Sequence, residues 1–311
     1  MTPRRLAIGA LAVRAFAIGA LAICAQPLIA AAARSDPLLD YALRQDVALL
    51  PGDLARIDAL QAARLELTRA GAPPPGRCAG SLGAARFAEI RASLSAAHEA
   101  VGDHRAAVRT ARAAVDCAPR DANIRVQLAN ALFQAGDVQQ AAAETIIGLG
   151  INPRHEALNR LQLQLDYLAE RWPEVLQRTR YLVSLAPKSS ETLYWEMFAA
   201  FARERSLAGG AAPRPPAALD EDDDWPQPLW RHLFEDLDAE ALIAALDAED
   251  NFGRRRGMLC EALYYSAQRR LAQRDIEGAR LLLARATQMK SIDYIEHAMA
   301  RAQLARMRSA D

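Results

Sequence analysis

The side chains of this chain that could do chemistry are few, and their spacing argues against most reactions. The five histidines, His98, His104, His155, His232 and His297, stand at separations that match no metal-ligand pattern. They read as helix-surface or packing residues, and no metal is expected. Cys260 beside Glu261 sets a thiol next to a carboxylate, but the pair lies in the apolar run Leu259 to Tyr265. A buried free thiol is the ordinary state of cysteine there. Ala79-Gly80-Ser81-Leu82-Gly83 echoes a serine-hydrolase elbow, yet that turn needs a preceding strand, and no parallel-sheet pattern exists in the chain. The acidic run Asp220-Glu221-Asp222-Asp223-Asp224 lacks the pattern of a calcium loop and reads as a solvated linker. No phosphate loop or dinucleotide fingerprint is present. The expectation is a protein with no cofactor and no catalytic residues.

What organises the chain is a repeat. Pro119, Pro153 and Pro187 are 34 residues apart each time, and Gly102 and Gly136, Ala107 and Ala141, and Ala114 and Gly148 keep the same interval. In one block Val126, Leu128, Ala129 and Leu132 lie along one side of a helix from Ala122. Gly136 can take the positive φ that ends it, and a second helix from Val138 follows, with the small residues Ala141, Ala142 and Gly148 where it approaches the first. Each pair is too thin to bury its own apolar face, so neighbouring pairs must stack. Period and residue types resemble the tetratricopeptide repeat, which implies an all-α fold, an α-solenoid of stacked helix-turn-helix units. The third block, from His155, is degenerate: Leu161-Gln162-Leu163-Gln164-Leu165 alternates like a strand, but Leu158, Leu161, Leu165 and Leu168 also fit a helical face. The neighbouring blocks decide for helix, with Trp172-Pro173 opening its second helix.

Before the repeats, Met1 to Ala33 carries Arg4, Arg5 and Arg14, an apolar stretch Ala15 to Ala25, and the small residues Ala30 to Ala33. This reads as an export signal, and the expected location is periplasmic or otherwise exported. An uncleaved membrane anchor stays open as the alternative, although Gln26 and Pro27 interrupt the apolar run. Leu21-Ala22-Ile23-Cys24 resembles the lipobox of bacterial lipoproteins, in which Cys24 would be lipidated, but Ile23 stands where that family has a small residue. Membrane association is expected only if Cys24 is lipidated or the signal stays. In an oxidising compartment Cys78 and Cys117 are candidates for a bridge from the loop before the first repeat to the end of its second helix, leaving Cys260 over.

The whole chain has 38 basic and 38 acidic residues; without Met1 to Ala33, which holds three arginines and no acid, the balance becomes 35 to 38. There is no polybasic footprint, so no nucleic-acid partner is expected. The chain divides into a signal, 1–33; an N-terminal helical pair, 34–70; the repeats, 81–208; a linker rich in proline, glycine and acid, 209–228; and a tetratricopeptide-like C-terminal region, 229–311. That last part opens with Trp225-Pro226, continues through Leu259-Cys260-Glu261-Ala262-Leu263 and closes with a helix near Tyr294-Ile295-Glu296-His297. In this order it resembles the C-terminal part of periplasmic tetratricopeptide proteins of the NlpI lipoprotein type. The resemblance implies a non-enzymatic adaptor that docks envelope proteins such as peptidoglycan hydrolases or a protease. A structural subunit of a secretion, pilus or polysaccharide-export machine is one competing reading, and an enzyme that uses the helical repeats as scaffold is another.

In stacked helical pairs the first helices line the concave face. That geometry turns Glu89, Ala96 and Glu99 of the first block, and Asn123, Asn130 and Phe133 of the second, toward a groove for a protein or peptide partner. The asparagines would hold an extended backbone, and Phe133 would supply an apolar pocket. Whether the groove is open or filled by the chain's own helix around Tyr294 to Leu304 is left open.

Overall fold

The computed structural model describes residues 36–45, 51–70, 78, 83–187, 189–206 and 224–310. The segment Met1 to Ala33 expected to be a signal, with Cys24, and Ser81 and most of the acidic run lie outside the described residues. The protein is all-α: among the described residues there are fourteen helices and no strand. They are α1 Pro37–Arg44, α2 Pro51–Arg69, α3 Ala84–Ala100, α4 His104–Cys117, α5 Ala122–Gln134, α6 Val138–Ile151, α7 Glu156–Leu168, α8 Trp172–Leu185, α9 Glu191–Arg205, α10 Gln227–Phe234, α11 Ala239–Asp247, α12 Phe252–Ala272, α13 Ile276–Gln288 and α14 Ile295–Ala310. None of them is long and apolar enough to cross a membrane.

The 34-residue interval is set by how the helices start and stop. Helices α4, α6 and α8 begin at His104, Val138 and Trp172, 34 residues apart. Asp103 and Asp137 accept from the backbone N–H groups of Ala106 and Gln140, which cap α4 and α6. Just before these caps the chain takes a positive φ at Gly102 (76°) and Gly136 (88°). The following N–H then reaches back to the preceding helix, from Asp103 to His98 and from Asp137 to Leu132. The same turn recurs without glycine at Glu170 (φ 58°) and Arg274 (φ 64°), closed by Arg171 to Asp166 and Asp275 to Arg270. The third block therefore keeps its turn at the repeat position although glycine is gone.

Consecutive helices from α2 to α9 pack one on the next, and α5 also touches α3 and α7. Ala107, Ala111, Ala114 and Ala141 are fully buried between them. A Cβ added at Gly148 would stand 2.7 Å from Leu158 Cδ1, so the close approach of α6 and α7 depends on its absence. Cys78 and Cys117 are disulfide-bonded, with Cα atoms 5.1 Å apart, and tie the segment before α3 to the end of α4. Cys260 is free and buried.

The expected helical pair at 34–70 needs correction. Helix α1 packs against α11, α12 and α13, while α2 packs on α3. The attachment of α1 is polar as well as apolar: Arg285 Nε donates to Ala42 O at 3.0 Å, Arg270 pairs with Asp36 at 2.9 Å, and Tyr41 Oη donates to Asp247 at 2.5 Å. Two segments adjacent in sequence thus pack mainly on different neighbours, although Arg56 of α2 also pairs with Asp293. The linker expected at 209–228 also ends earlier, since α10 starts at Gln227 with Pro228 in its first turn.

Candidate binding cleft

The inner edges of α3, α5, α7 and α9 border two adjoining cavities of about 320 and about 410 Å³, which share Asn130, Asp293 and Ile295. Their far wall is the C-terminal part of the chain, the segment Ile292 to Glu296 with Glu261 and Tyr265 of α12. Helix α14 is fastened across the repeats by two arginines. Arg301 Nη1 donates to Gln134 O at 3.0 Å, and Arg306 donates to Leu168 O, so each guanidinium caps a free carbonyl at the C-terminus of an inner helix, α5 or α7. The groove is thereby partly filled by the chain itself.

Four of the six groove residues expected from sequence come together here: Ala96, Glu99, Asn130 and Phe133 all border the smaller cavity. Glu89 does not join them; it is exposed and bonded to Arg86 at 3.0 Å. Asn123 is also exposed, lies outside both cavities and meets His155 Nε2 at 3.0 Å across to the next pair. Phe133 is no open pocket, being 1% exposed. Ile292 and Ile295 border the same space, so the chain's own C-terminal part occupies one side of the groove, the alternative left open from sequence. Glu99 lies deep enough that burial pushes its carboxyl up to about 7, and its Oε1 has no partner among the described residues.

The larger cavity holds residues that the sequence reading passed over. Glu261 and Glu296 are 7% and 4% exposed. Glu261 Oε2 accepts from Tyr194 Oη at 2.7 Å and from Trp225 Nε1 at 2.5 Å; Glu296 Oε1 accepts from Tyr265 Oη at 3.2 Å. Both carboxyls are held above the usual carboxylate range, Glu261 by burial and then by the nearby Glu296, and Glu296 by burial. The rings pack on one another: Tyr265 lies 5.9 Å from Tyr194 and 5.7 Å from Phe198, centroid to centroid. Tyr294 completes the wall and sits so close over α12 that a Cβ added at Gly257 would overlap its ring, at 1.9 Å from Cζ.

The elements explain the placement. Trp225 enters from the start of the C-terminal region and brings its indole to Glu261, so the Trp-Pro motif supplies a hydrogen-bond donor as well as bulk. Helix α12 is buried along most of its length, which is why a glutamate inside Leu259 to Tyr265 reads as packing in sequence. The one available signal was the charge itself, an acid in a run with no room for solvent, repeated at Glu296 between Ile295 and the buried His297. Burial pushes His297 down to about 4, with its Nε2 placed 3.2 Å from Thr287 O. Among the described residues no group of histidines, cysteines and acids could hold a metal ion.

Chemically the cleft combines aromatic faces, two buried carboxyls with like charge, and amide groups at Asn130 and Gln164. It can bind a ligand with an apolar body and hydrogen-bond donors. In comparisons with known proteins, no family model matches the chain and no curated protein matches it.

Proposed function

We propose that this chain is an exported, non-enzymatic adaptor of the tetratricopeptide type, an α-solenoid that holds a segment of a protein partner in the cleft. The observation that carries the reading is that the inner helices α3, α5, α7 and α9 each contribute residues to one pair of connected cavities. Concave surfaces built this way recognise extended segments of other chains. The C-terminal wall narrows the groove, so the partner is engaged by a short segment and not along a whole open face. The leader Met1 to Ala33 and the likeness to NlpI-type proteins support an envelope location and a partner such as a peptidoglycan hydrolase or a protease.

The test is site-specific photo-crosslinking in cells, with the crosslinking residue at Gln164 in the cleft and, as control, at the exposed Glu240 on α11. A discrete protein partner joined from position 164 and not from 240 is the expected result. Joining only from 240 would overturn the reading. Recovery of several components of one secretion or pilus machine would favour the structural-subunit alternative.

A further inference from the structure

The cleft carries more negative charge than a groove for backbone recognition requires. Among the described residues its two cavities are bordered by Glu99, Glu191, Glu261, Asp293 and Glu296, against one guanidinium, Arg160, which is ion-paired to Glu191. Asp293 has Arg56. Glu261 and Glu296 form no ion pair with any described residue; Tyr194 and Trp225 donate to Glu261, Tyr265 and the backbone of Glu296 itself to Glu296, and the Arg254 charge reaches Glu261 only as the weakest influence on it. Those side chains engage one oxygen of each carboxyl. No other described side chain donates to Glu261 Oε1 or Glu296 Oε2, and both residues border the open space of about 410 Å³. Two buried carboxyls whose side-chain donors leave acceptor capacity over, set on the border of one cavity, form a receptor for donors built before any ligand arrives.

The choice of ligand follows from what each class would meet. An anion meets repulsion. A hard divalent cation wants at least six oxygens around it, and the rings of Tyr194, Phe198 and Tyr265 take up that space. A neutral donor supplies no positive charge against which Glu261 and Glu296 could both ionise. An ammonium on an apolar stem supplies the positive charge and three donors, while the stem packs on the aromatic faces.

We infer that the cleft between α7, α9, α12 and the start of α14 binds an ammonium group on an apolar stem, with Glu261 and Glu296 as its counter-charges. Resting on the adaptor reading, the source is a lysine side chain presented by the partner's segment; a free diamine carries the same chemistry.

Calorimetric titration of the exported protein tests this with three probes: the peptide acetyl-Gly-Lys-Gly-amide, its norleucine counterpart, and 1,5-diaminopentane. The lysine peptide is expected to bind about tenfold or more tighter than the norleucine peptide, and E261Q/E296Q to abolish that preference. Tighter binding of the diamine than of the lysine peptide supports the ammonium site and makes a free amine its source. Equal binding of the lysine and norleucine peptides, or an unchanged preference in E261Q/E296Q, overturns the inference. Tyr194→Phe keeps the ring and removes only the hydroxyl on Glu261, so a weakened lysine preference in this variant checks the result independently of the double change. Crosslinking from position 164 without lysine preference overturns this inference alone. Lysine preference without any crosslinked protein overturns the adaptor reading alone.

Discussion

Two acids, one in each half of the molecule, show how differently the halves treat charge. Asp166, in the repeats, is 2% exposed, and three side chains meet its carboxylate: Arg171 Nε at 2.9 Å, Gln162 Nε2 at 2.7 Å and Arg178 Nε at 3.3 Å. Glu261, in the C-terminal half, is 7% exposed and has only a phenol and an indole. The first carboxylate is compensated and ties α7 to α8; the second is left short of positive charge beside an open cavity. The repeats bury alanines and Gly148, so their helices approach closely. Large rings are buried on both sides of the seam, Tyr167 and Phe198 in the repeats and Trp230, Tyr264 and Tyr265 in the C-terminal half, and the seam itself keeps open space. The lesson is that the same kind of residue, a buried acid, closes a contact between two helices where arginines meet it, and borders a cavity where they do not.

The largest expected effect lies on the repeat side. Phe133→Ala removes a fully buried ring from the core, and a loss of about 3–5 kcal/mol in urea denaturation is expected. An unchanged midpoint would restore Phe133 to the open groove and weaken the contrast. Asp166→Ala comes next. It strips Arg171 and Arg178 of their shared carboxylate, and because both guanidinia are partly exposed, the expected loss is moderated to about 2–3 kcal/mol. A loss below that of an average surface change would mean that the compensated acid is no more structural than Glu261. Ala141→Leu, at a position with no exposure, should overpack α6 against its neighbours at about 1–3 kcal/mol. Retention of wild-type stability would remove the small-residue argument.

The smallest effect is the most discriminating, because its sign is reversed. Glu261 and Glu296 are raised above their ordinary value of 4.5, so their contribution to stability is complete below that pH and is lost as pH rises through the folded values. Unfolding midpoints of the wild type should therefore fall between pH 5 and pH 8. E261Q/E296Q should gain on the order of 1–2 kcal/mol over wild type at pH 8 and flatten that slope. Glu99, pushed up to about 7, leaves a residual slope of the same sign. His297, pushed down from 6.5 to about 4, works oppositely: it stabilises above its ordinary value, and that share is lost as pH falls toward 4. A double variant less stable than wild type at pH 8 would place Glu261 and Glu296 with Asp166 as structural acids.

Sequence alone determined the helices and the turns between them, because these follow from interactions a few residues long. The apolar period marked α5, and glycine marked the two turns at 102 and 136, after which the aspartates at 103 and 137 cap α4 and α6 through bonds only three residues long. Even so, the matching turn at Glu170 carries no residue that announces it; the flanking helices impose its conformation. Tertiary structure alone decided everything that depends on long-range pairing. Nothing local tells α1 to leave α2 and join α11 and α13, since the Arg285 contact to Ala42 spans 243 residues. Nothing local tells Phe133 that Ile292 and Ile295 will border the same cavity. The cleft is the extreme case. Glu261 and Glu296 lie on different helices, the first inside an apolar run that reads as packing and the second in a motif that gives it no role of its own. Only the fold sets their carboxyls against one cavity, because burial and like-charge proximity belong to positions in space that no spacing along the chain encodes.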